Sequence, residues 1–216
     1  MQGLLWNTLK GDETMAKKKP VREPKQSRSI QMKEKILGTA LKLFCKKGFY
    51  KTTTNEIAQA AGVSIGSLYS YFRDRDAIFF AILDRYHQQF VALHAASINQ
   101  INTHNLDKRE WLYHFVEGLI RIHEKSREFN RELKVLCYSN PKVAAIMEKQ
   151  DEETRRLIIG YLRLWKEGVS VEDLEAIAIV AFDFISAIVD RIVFGGKSID
   201  RERILRTGVD ALFGFL

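Results

Sequence analysis

The most informative stretch of this chain is residues 54–71, TNEIAQAAGVSIGSLYSY. Its spacing is typical of a helix-turn-helix. Ala58 is small where two helices cross closely, and Gly62 permits the left-handed backbone of a tight turn. Val63 and Leu68 are placed to fill the space between the two helices. The ordered set predicts a helix-turn-helix, with an ordinary helical hairpin as the alternative.

The second helix of this pair, residues 65–71, has the composition of a surface that lies against DNA. It follows Ser64 and begins with small and polar residues. Hydroxyl groups and the backbone amides at helix starts commonly donate to phosphate oxygens. A short helix with few bulky charged side chains fits the major groove, which is about 12 Å wide. Thr53 and Glu56 have the spacing of a capping box that begins the first helix.

The net charge of +7 over 216 residues is concentrated on the N-terminal side. Residues 1–80 hold 15 Lys and Arg against 7 Asp and Glu, whereas residues 81–216 hold 19 against 20. This asymmetry indicates a polyanionic partner, either nucleic acid or an acidic membrane surface, with a solubilising tail as the simple alternative. Two cysteines, Cys45 and Cys137, are too few for a disulfide framework or a structural zinc site, and they fit a reducing compartment.

Helical periodicity continues through the rest of the chain, and no period-two pattern is long enough for a sheet. The predicted fold class is all-α with about nine helices. Residues 1–28 predict a flexible basic arm, residues 29–77 a three-helix DNA-binding domain that contains the helix-turn-helix, and residues 78–216 a helical domain for effector binding and dimerisation. The predicted helices span residues 30–47, 54–61, 65–71, 74 to beyond 90, 108–125, 128–138, 142–165, 171–194 and 200–215.

Residues 36–79 resemble the DNA-binding domain of the TetR/AcrR family of bacterial transcriptional regulators. The resemblance covers about a fifth of the chain, and the C-terminal two-thirds is similar only in its helical layout. The positions that carry it are Ile36-Leu37, Ala40, Leu43-Phe44, Gly48-Phe49, Thr52-Thr53, Ile57-Ala58, Ala61-Gly62-Val63-Ser64, Gly66-Ser67-Leu68-Tyr69 and Tyr71-Phe72.

The resemblance implies a DNA contact for individual positions of the helix pair. Thr53 and Thr54, at the start of the first helix, would contact phosphates through hydroxyl and amide groups. The residues expected in the major groove are Ser64, Ile65, Gly66 and Tyr69, with Ser67 and Ser70 as further candidates for base contacts. Ile65 implies an apolar base contact, such as one to a thymine methyl group.

Further basic and aromatic residues are expected to hold the DNA backbone on either side. The resemblance implies this role for Tyr71 and Arg75. Family members commonly have Lys at the position of Arg75, and Arg keeps the charge while adding a bidentate option. In the basic arm, Lys25 and Arg28 either contact the backbone or minor groove, or act only as a tail that releases counterions.

The helix predicted at residues 171–194 is apolar almost all round, which indicates burial on more than one side. With the last helix it forms a four-helix dimer interface in the arrangement that the resemblance implies. A central core helix in a monomer is the alternative. A two-fold dimer predicts a palindromic operator on double-stranded DNA. The interface residues predicted on the two helices are Ile177, Phe184, Ile188, Ile192, Leu205, Val209 and Leu212.

A ligand cavity is expected among the helices between residues 80 and 185. Aromatic residues at helical spacing are either its walls or ordinary core. His94, His114 and His123 have no neighbouring Cys or Asp cluster, so neither a metal nor another cofactor is expected. Asp183, in an apolar helix, is either paired with an Arg or a polar group of the pocket. The candidate walls are Phe90, His94, Trp111, Phe115, Tyr138, Trp165 and Phe182.

The motifs and their arrangement predict a cytoplasmic, homodimeric transcriptional repressor, released from a palindromic operator by a small, apolar ligand. Helix four, from Asp74 onward, is expected to couple the two sites. A Gly-rich phosphate loop, a nucleophile elbow and an H-E-x-x-H motif are missing from the sequence, so no enzymatic activity is expected. No apolar run reaches membrane-span length, and no export signal is recognised. The alternatives are a helical protein- or membrane-interaction module with a basic face, and a DNA-binding regulator without a small-molecule effector.

Overall fold

A computed structural model of the chain describes residues 27–103, 107–164, 173–196 and 200–215. These ranges form nine helices and no strand, which confirms the predicted fold class. The helices are α1 (Ser27–Lys47), α2 (Thr54–Ala60), α3 (Ile65–Tyr71), α4 (Arg75–Thr103), α5 (Lys108–Lys125), α6 (Arg127–Ser139), α7 (Pro141–Leu164), α8 (Leu174–Phe194) and α9 (Arg201–Phe215).

Local capping explains where the short N-terminal helices begin. Thr53 caps α2, and its backbone and side chain form the reciprocal capping box with Glu56 that the spacing predicts. The Ser64 hydroxyl oxygen caps α3 by accepting a hydrogen bond from the Ser67 amide. At the start of α4, a carboxylate oxygen of Asp74 accepts a hydrogen bond from the Ala77 amide at 2.7 Å. Gly62 has φ +60° in the turn between α2 and α3, a value that glycine adopts without strain.

The first core lies among α1, α2, α3 and the N-terminal half of α4, and it reaches α6. Phe44 of α1 and Phe79 of α4 pack edge-on with ring centroids 5.8 Å apart, and Phe49 lies 5.1 Å from Phe79. Phe129 of α6 also contacts Phe79, at 5.8 Å. This core is therefore continuous from the predicted DNA-binding domain into the helical domain.

The second core lies among α5, α8 and α9. It contains Trp111 and Ile120 of α5, Val193 of α8 and Leu205 of α9, all buried. Packing of three amphipathic helices on one another buries their apolar faces and is the main source of their stability.

Several helix boundaries differ from the predicted ones. The sequence predicts an arm up to residue 28, but α1 begins at Ser27, because polar residues fit a solvent-facing first turn. Residues 1–26, including Lys25, lie outside the described residues. Helix α4, expected to continue beyond Phe90, extends to Thr103, because Leu93 and Ile98 continue its apolar side against the second core. The helix expected from residue 171 begins at Leu174, after a cap by Asp173.

Candidate nucleic-acid interface and ligand cavity

Helix α3 is seated by one residue and presents the others outward. Leu68 is fully buried against the first core. Ser67 is half-buried, and its amide is occupied by the Ser64 cap. The exposed face of α3 with its cap consists of Ser64, Ile65, Gly66, Tyr69 and Ser70. Five of the six residues predicted to approach the bases thus share one exposed surface.

The start of α2 lies beside this surface. The hydroxyl groups of Thr54 and Tyr69 are 3.1 Å apart, so a direct hydrogen bond joins the two helices. Thr53 is exposed at the same end of α2. The structure therefore brings the predicted phosphate-contacting threonines next to the predicted groove-facing helix.

Tyr71 ends α3 and contacts the first helix. Its hydroxyl lies 3.2 Å from the Ser29 hydroxyl, which places the start of α1 beside the end of α3. Arg28 is exposed in the first turn of α1. The contact brings a basic residue of the predicted arm to the side of the α3 surface.

Arg75 has a structural role that the sequence did not indicate. Its Nη1 donates to the carbonyls of Tyr50 and Thr52, at 3.0 and 3.1 Å. The guanidinium carbon lies 4.1 Å from the centroid of the Phe49 ring, within the range of a cation–π contact. Arg75 thus holds the turn between α1 and α2, in addition to any contact with DNA.

The same turn is also held by α6. A carboxylate oxygen of Glu132 accepts the Phe49 amide at 2.5 Å, and the Tyr50 hydroxyl donates to the Ser139 carbonyl at 2.9 Å. Sequence reasoning missed both contacts. The two pairs of residues are separated in the chain by 83 and 89 positions, and no local sequence pattern predicts such a pairing.

A cavity of about 370 Å³ lies among α4, α5, α6, α7 and α8. Most of its lining surface is apolar, although about half of the lining residues are polar or charged. A second hollow, about 510 Å³, opens to solvent between α4 and α5 beside Glu117 and Arg121. The lining of the first cavity is Tyr86, His87, Phe90, His94, Phe115, Leu119, His123, Asn130, Leu133, Lys134, Cys137, Met147, Gln150, Asp151, Thr154, Ile158, Phe182, Ile185, Ser186, Val189 and Asp190.

Four of the predicted wall residues meet in this cavity, namely Phe90, His94, Phe115 and Phe182. Trp111 lies behind the wall. Its ring stacks on Phe115 at 5.3 Å, and its Nε1 donates to the Ser97 carbonyl at 3.0 Å. Trp165 lies outside the described residues.

The prediction for Tyr138 is wrong, because this side chain is 95% exposed. Leu133 and Cys137, four residues apart on α6, face the cavity. Tyr138 follows Cys137 and is therefore rotated by about 100° around the helix, onto its solvent side.

Two polar groups of the cavity were not predicted. Tyr86 is only 7% exposed, and burial raises the pKa of its hydroxyl, although the nearby Asn130 side chain acts in the opposite direction. Asp151 is half-buried, and burial raises the pKa of its carboxyl to about 6, although Arg155 nearby acts in the opposite direction. A single acidic residue in a charged stretch of α7 gives no sequence signal of this kind.

The buried histidines of the cavity are held neutral. Burial, reinforced by the like charge of His87, lowers the pKa of His94 to about 4. Its Nδ1 lies 3.0 Å from the Tyr161 hydroxyl, so the ring has a neutral hydrogen-bond partner. Burial also lowers the pKa of His123. Within the described ranges, no three His, Cys, Asp or Glu side chains are grouped so that they could hold a metal ion.

The residues predicted for the dimer interface differ in their exposure. Leu205, Val209 and Leu212 are buried inside the second core, so the prediction that α9 presents them to a partner is wrong. The apolar stripe of α9 packs on α5 and α8 of its own chain. Ile177, Ile188 and Ile192 are half-buried on α8, whereas Phe184 is 38% exposed.

The fold and the α2–α3 surface define a helix-turn-helix DNA-binding regulator with a helical second domain. Residues 36–82 match the family described as bacterial regulatory proteins, tetR family. Residues 90–215 match the tetracyclin repressor-like C-terminal domain. The chain therefore belongs to the TetR family of transcriptional regulators.

Several curated and solved proteins are similar along most of the chain. The HTH-type transcriptional regulator QacR of Staphylococcus aureus is 26% identical over 169 residues, covering 74% of this chain and 85% of that protein. The nucleoid occlusion factor SlmA of Haemophilus ducreyi is 30% identical over 170 residues, covering 73% and 78%.

Two solved structures share the fold at low identity. A TetR-like transcriptional regulator from Rhodococcus sp. RHA1 has a TM-score of 0.64 at 23% identity, covering 89% of this chain and 97% of that one. The Thermus thermophilus repressor FadR, solved with lauroyl-CoA, has a TM-score of 0.61 at 24% identity, covering 85% and 95%. Within the described ranges, no helix is both long and apolar enough to cross a membrane.

Proposed function

We propose that the chain is a homodimeric repressor that binds a palindromic operator and is released when a small ligand with an apolar body enters the cavity. The observation that carries the ligand response is the position of α6. Leu133 and Cys137 of this helix line the cavity. Glu132 and Ser139 of the same helix bond the turn that precedes α2. A ligand that moves α6 therefore moves the DNA-binding helix pair.

The α3 surface supports specific DNA binding. Ser64 and Ser70 offer hydroxyl groups, Ile65 an apolar contact, and Tyr69 both, on one exposed face. Gly66 leaves open space where a side chain would stand, so the backbone can approach a groove closely. Groove-facing side chains read base edges, whereas the hydroxyl groups at the start of α2 position the protein on phosphates.

An exposed apolar face on α8 supports the dimer. Ile179, Val180 and Phe184 are all exposed, and Ala176 and Ala187 extend the same face along the helix. The exposed Asp183 interrupts this face, and exposed apolar side chains grouped on one side of a helix are typical of an interaction site. Pairing of α8 with its copy around a two-fold axis would cover this face and align two α3 helices with two half-sites.

Selection of binding sites from random duplexes by the purified full chain tests the DNA-binding proposal. A palindromic motif is expected, and Tyr69→Ala should lose it while keeping its helical circular dichroism. Tyr138→Ala is the matched control, because this exposed tyrosine lies on α6 away from the DNA-binding face. Equal, weak binding to every duplex would favour the interaction module with a basic face.

Sedimentation equilibrium tests the dimer. Phe184→Glu places a charge in the proposed interface and should yield monomers. Val135→Glu is the control, because Val135 is more exposed than Phe184 and lies on α6. A dimer that survives Phe184→Glu, or a native chain that sediments as a monomer, would exclude the α8 interface.

A further inference from the structure

The first turn of α1 lies against the end of α3. The Ser29 hydroxyl is 3.2 Å from the Tyr71 hydroxyl, a hydrogen-bonding distance between groups 42 positions apart in the chain. One turn further along α1, the Nζ of Lys33 lies 5.9 Å from the centroid of the Phe72 ring, within the range of a cation–π contact. Ser29 and Lys33 are four residues apart and therefore share one face of α1. This face contacts both the residue that ends α3 and the residue that caps it.

Ser29 lies outside the segment that matches the family, which begins at residue 36. Its partner Tyr71 is half-buried at the end of α3. A hydroxyl group has one hydrogen to donate, and a half-buried hydroxyl that has an internal partner is well suited to join two parts of a protein. The Tyr71 hydroxyl, for which the resemblance implies a contact with the DNA backbone, therefore connects α3 with α1.

Arg28, next to Ser29, is available for an external partner. Its side chain is exposed, and no hydrogen bond or ion pair to its guanidinium group occurs in the described part of the chain. Two other arginines near the end of α3 are already engaged. Arg73 pairs with Asp74 at 3.1 Å, and Arg75 bonds the carbonyls of the α1–α2 turn. A guanidinium group without an internal partner can bind the oxygens of a phosphate in bidentate geometry.

The place of Arg28 beside α3 brings it near the phosphates of a duplex in which α3 lies. Helix α3 has seven residues and is about 10 Å long, whereas the major groove is about 12 Å wide. A residue beside the end of α3 is therefore close to one of the two phosphate strands that border the groove. Arg28 keeps this place only while the first turn of α1 stays on α3, because helix ends fray when tertiary contacts do not hold them.

We propose that Ser29 is a positioning residue for DNA binding. Its bond with Tyr71 fixes the first turn of α1 against α3, and the fixed turn places Arg28 on a phosphate beside the operator half-site. This inference rests on the proposed operator binding and adds to it a residue that does not itself touch DNA. A side chain that is already in place loses less conformational freedom on binding than one on a frayed turn. Arg28 is therefore a fixed contact and not part of a tail that only releases counterions.

The salt dependence of operator binding detects the phosphate contact. Fluorescence anisotropy gives the affinity of the purified full chain for a duplex that carries the selected motif, at salt concentrations from about 50 to 200 mM. Each phosphate contact contributes about 0.9 to the slope of log K against log[salt], so Arg28→Gln in both subunits of a dimer should reduce the slope by about 1.8. Over this range the native chain should then lose about 12-fold more affinity than Arg28→Gln loses.

Arg163→Gln is the matched control for the loss of charge. Arg163 is exposed in the last turn of α7, about 33 Å along the helix from Pro141. Pro141 follows the α6 residues that contact the α1–α2 turn, so Arg163 is remote from the DNA-binding helices. Arg163→Gln makes the same substitution and should keep the slope of the native chain.

Variants of Ser29 test the positioning role. Ser29→Ala removes the hydroxyl and should weaken operator binding at low salt by nearly as much as Arg28→Gln, about tenfold. The double variant should bind about as tightly as either single variant, because the two changes remove the same contact. Ser29→Thr keeps a hydroxyl and should restore the affinity to within about twofold of the native value. A general loss of stability in Ser29→Ala would instead add to the effect of Arg28→Gln.

The outcomes separate this inference from the proposed function. If the selected duplex is bound but Arg28→Gln keeps the native slope, the phosphate contact is wrong while the operator-binding repressor stands. If Arg28→Gln reduces the slope but Ser29→Ala binds as tightly as the native chain, Ser29 is not a positioning residue. The same conclusion holds if the effects of the two changes multiply in the double variant. If the native chain selects no motif, the proposed function is wrong and this inference is wrong with it.

Discussion

The α2–α3 pair and the cavity differ in how their polar groups are satisfied. In the pair, the caps of Thr53 and Ser64 close within three residues, and Tyr69 bonds the neighbouring helix. In the cavity, Asp151 has no direct hydrogen bond or ion pair among the described residues, and only the nearby charge of Arg155 offsets its own. A surface complete in itself suits rigid presentation to DNA. A cavity with unmatched groups suits a molecule that brings its own partners.

The largest expected effect on stability comes from removing Leu68, the buried residue that anchors α3 in the first core. Leu68→Ala removes a fully buried side chain and should lower the free energy of unfolding by about 2–5 kcal/mol. Tyr69→Ala, the next residue, is 47% exposed and should cost less than about 1 kcal/mol. Urea denaturation measures both. Similar losses in the two variants would show that α3 does not depend on its buried residue.

The link between the two regions gives the next effect. Glu132→Ala removes the acceptor of the Phe49 amide and should cost about 1–3 kcal/mol. Glu132→Gln keeps an acceptor oxygen and should recover part of that stability. If the alanine variant unfolds at the same urea concentration as the native chain, the contact contributes nothing to the connection of α6 with the turn.

Asp151 should destabilise the chain when no ligand is bound. Its pKa is raised from 3.8 to about 6 in the folded chain, so stability falls as pH rises between these values. The nearby charges that act on it are Arg155, Glu148 and Asp183. Asp151→Asn should therefore raise the free energy of unfolding by about 1–3 kcal/mol at pH 7.5, with little change at pH 4.

The pH series of urea denaturation checks this sign. A constant gain from pH 4 to pH 7.5 would place the effect of Asp151→Asn in packing rather than in ionisation. The same series with Glu153→Gln controls for the change in net charge.

The smallest effects come from two glycines of the helix pair. Gly62→Ala forces an alanine into φ +60° and should cost about 1–2 kcal/mol. Gly66→Ala adds a methyl group in open space within a helix and should gain up to about 1 kcal/mol. The gain should come with weaker operator binding, because the methyl group stands on the proposed DNA face. If Gly66→Ala binds the operator as tightly as the native chain does, Gly66 is not part of the DNA-binding face.

Sequence reasoning succeeded where contacts are local. The Thr53–Glu56 capping box, the Ser64 cap and the left-handed Gly62 follow from residue types at fixed short spacing, and all three are present. The same logic indicated the buried position of Leu68, because its spacing from the turn sets the side of α3 on which it lies.

It failed where the answer depended on the rotation of one helix against another. Leu205 and Tyr138 are both apolar or aromatic residues on amphipathic helices, yet one is buried in its own chain and the other is exposed. The contact of Glu132 with Phe49 depends on how α6 packs on α1, which no pattern within either segment encodes.

Helix α4 has 29 residues and is therefore about 43 Å long. Its first turns belong to the core beneath α2 and α3, and its middle turns carry Phe90 and His94 to the cavity. In a helix of this length, a small tilt at one end produces a large displacement at the other end. A tilt of about 6° around one end displaces the other by about 4 Å, and two such rods in a dimer would change the spacing of their ends by about twice that. Half-sites one helical turn apart are separated by about 34 Å, so a shift of this size is enough to lose register with DNA.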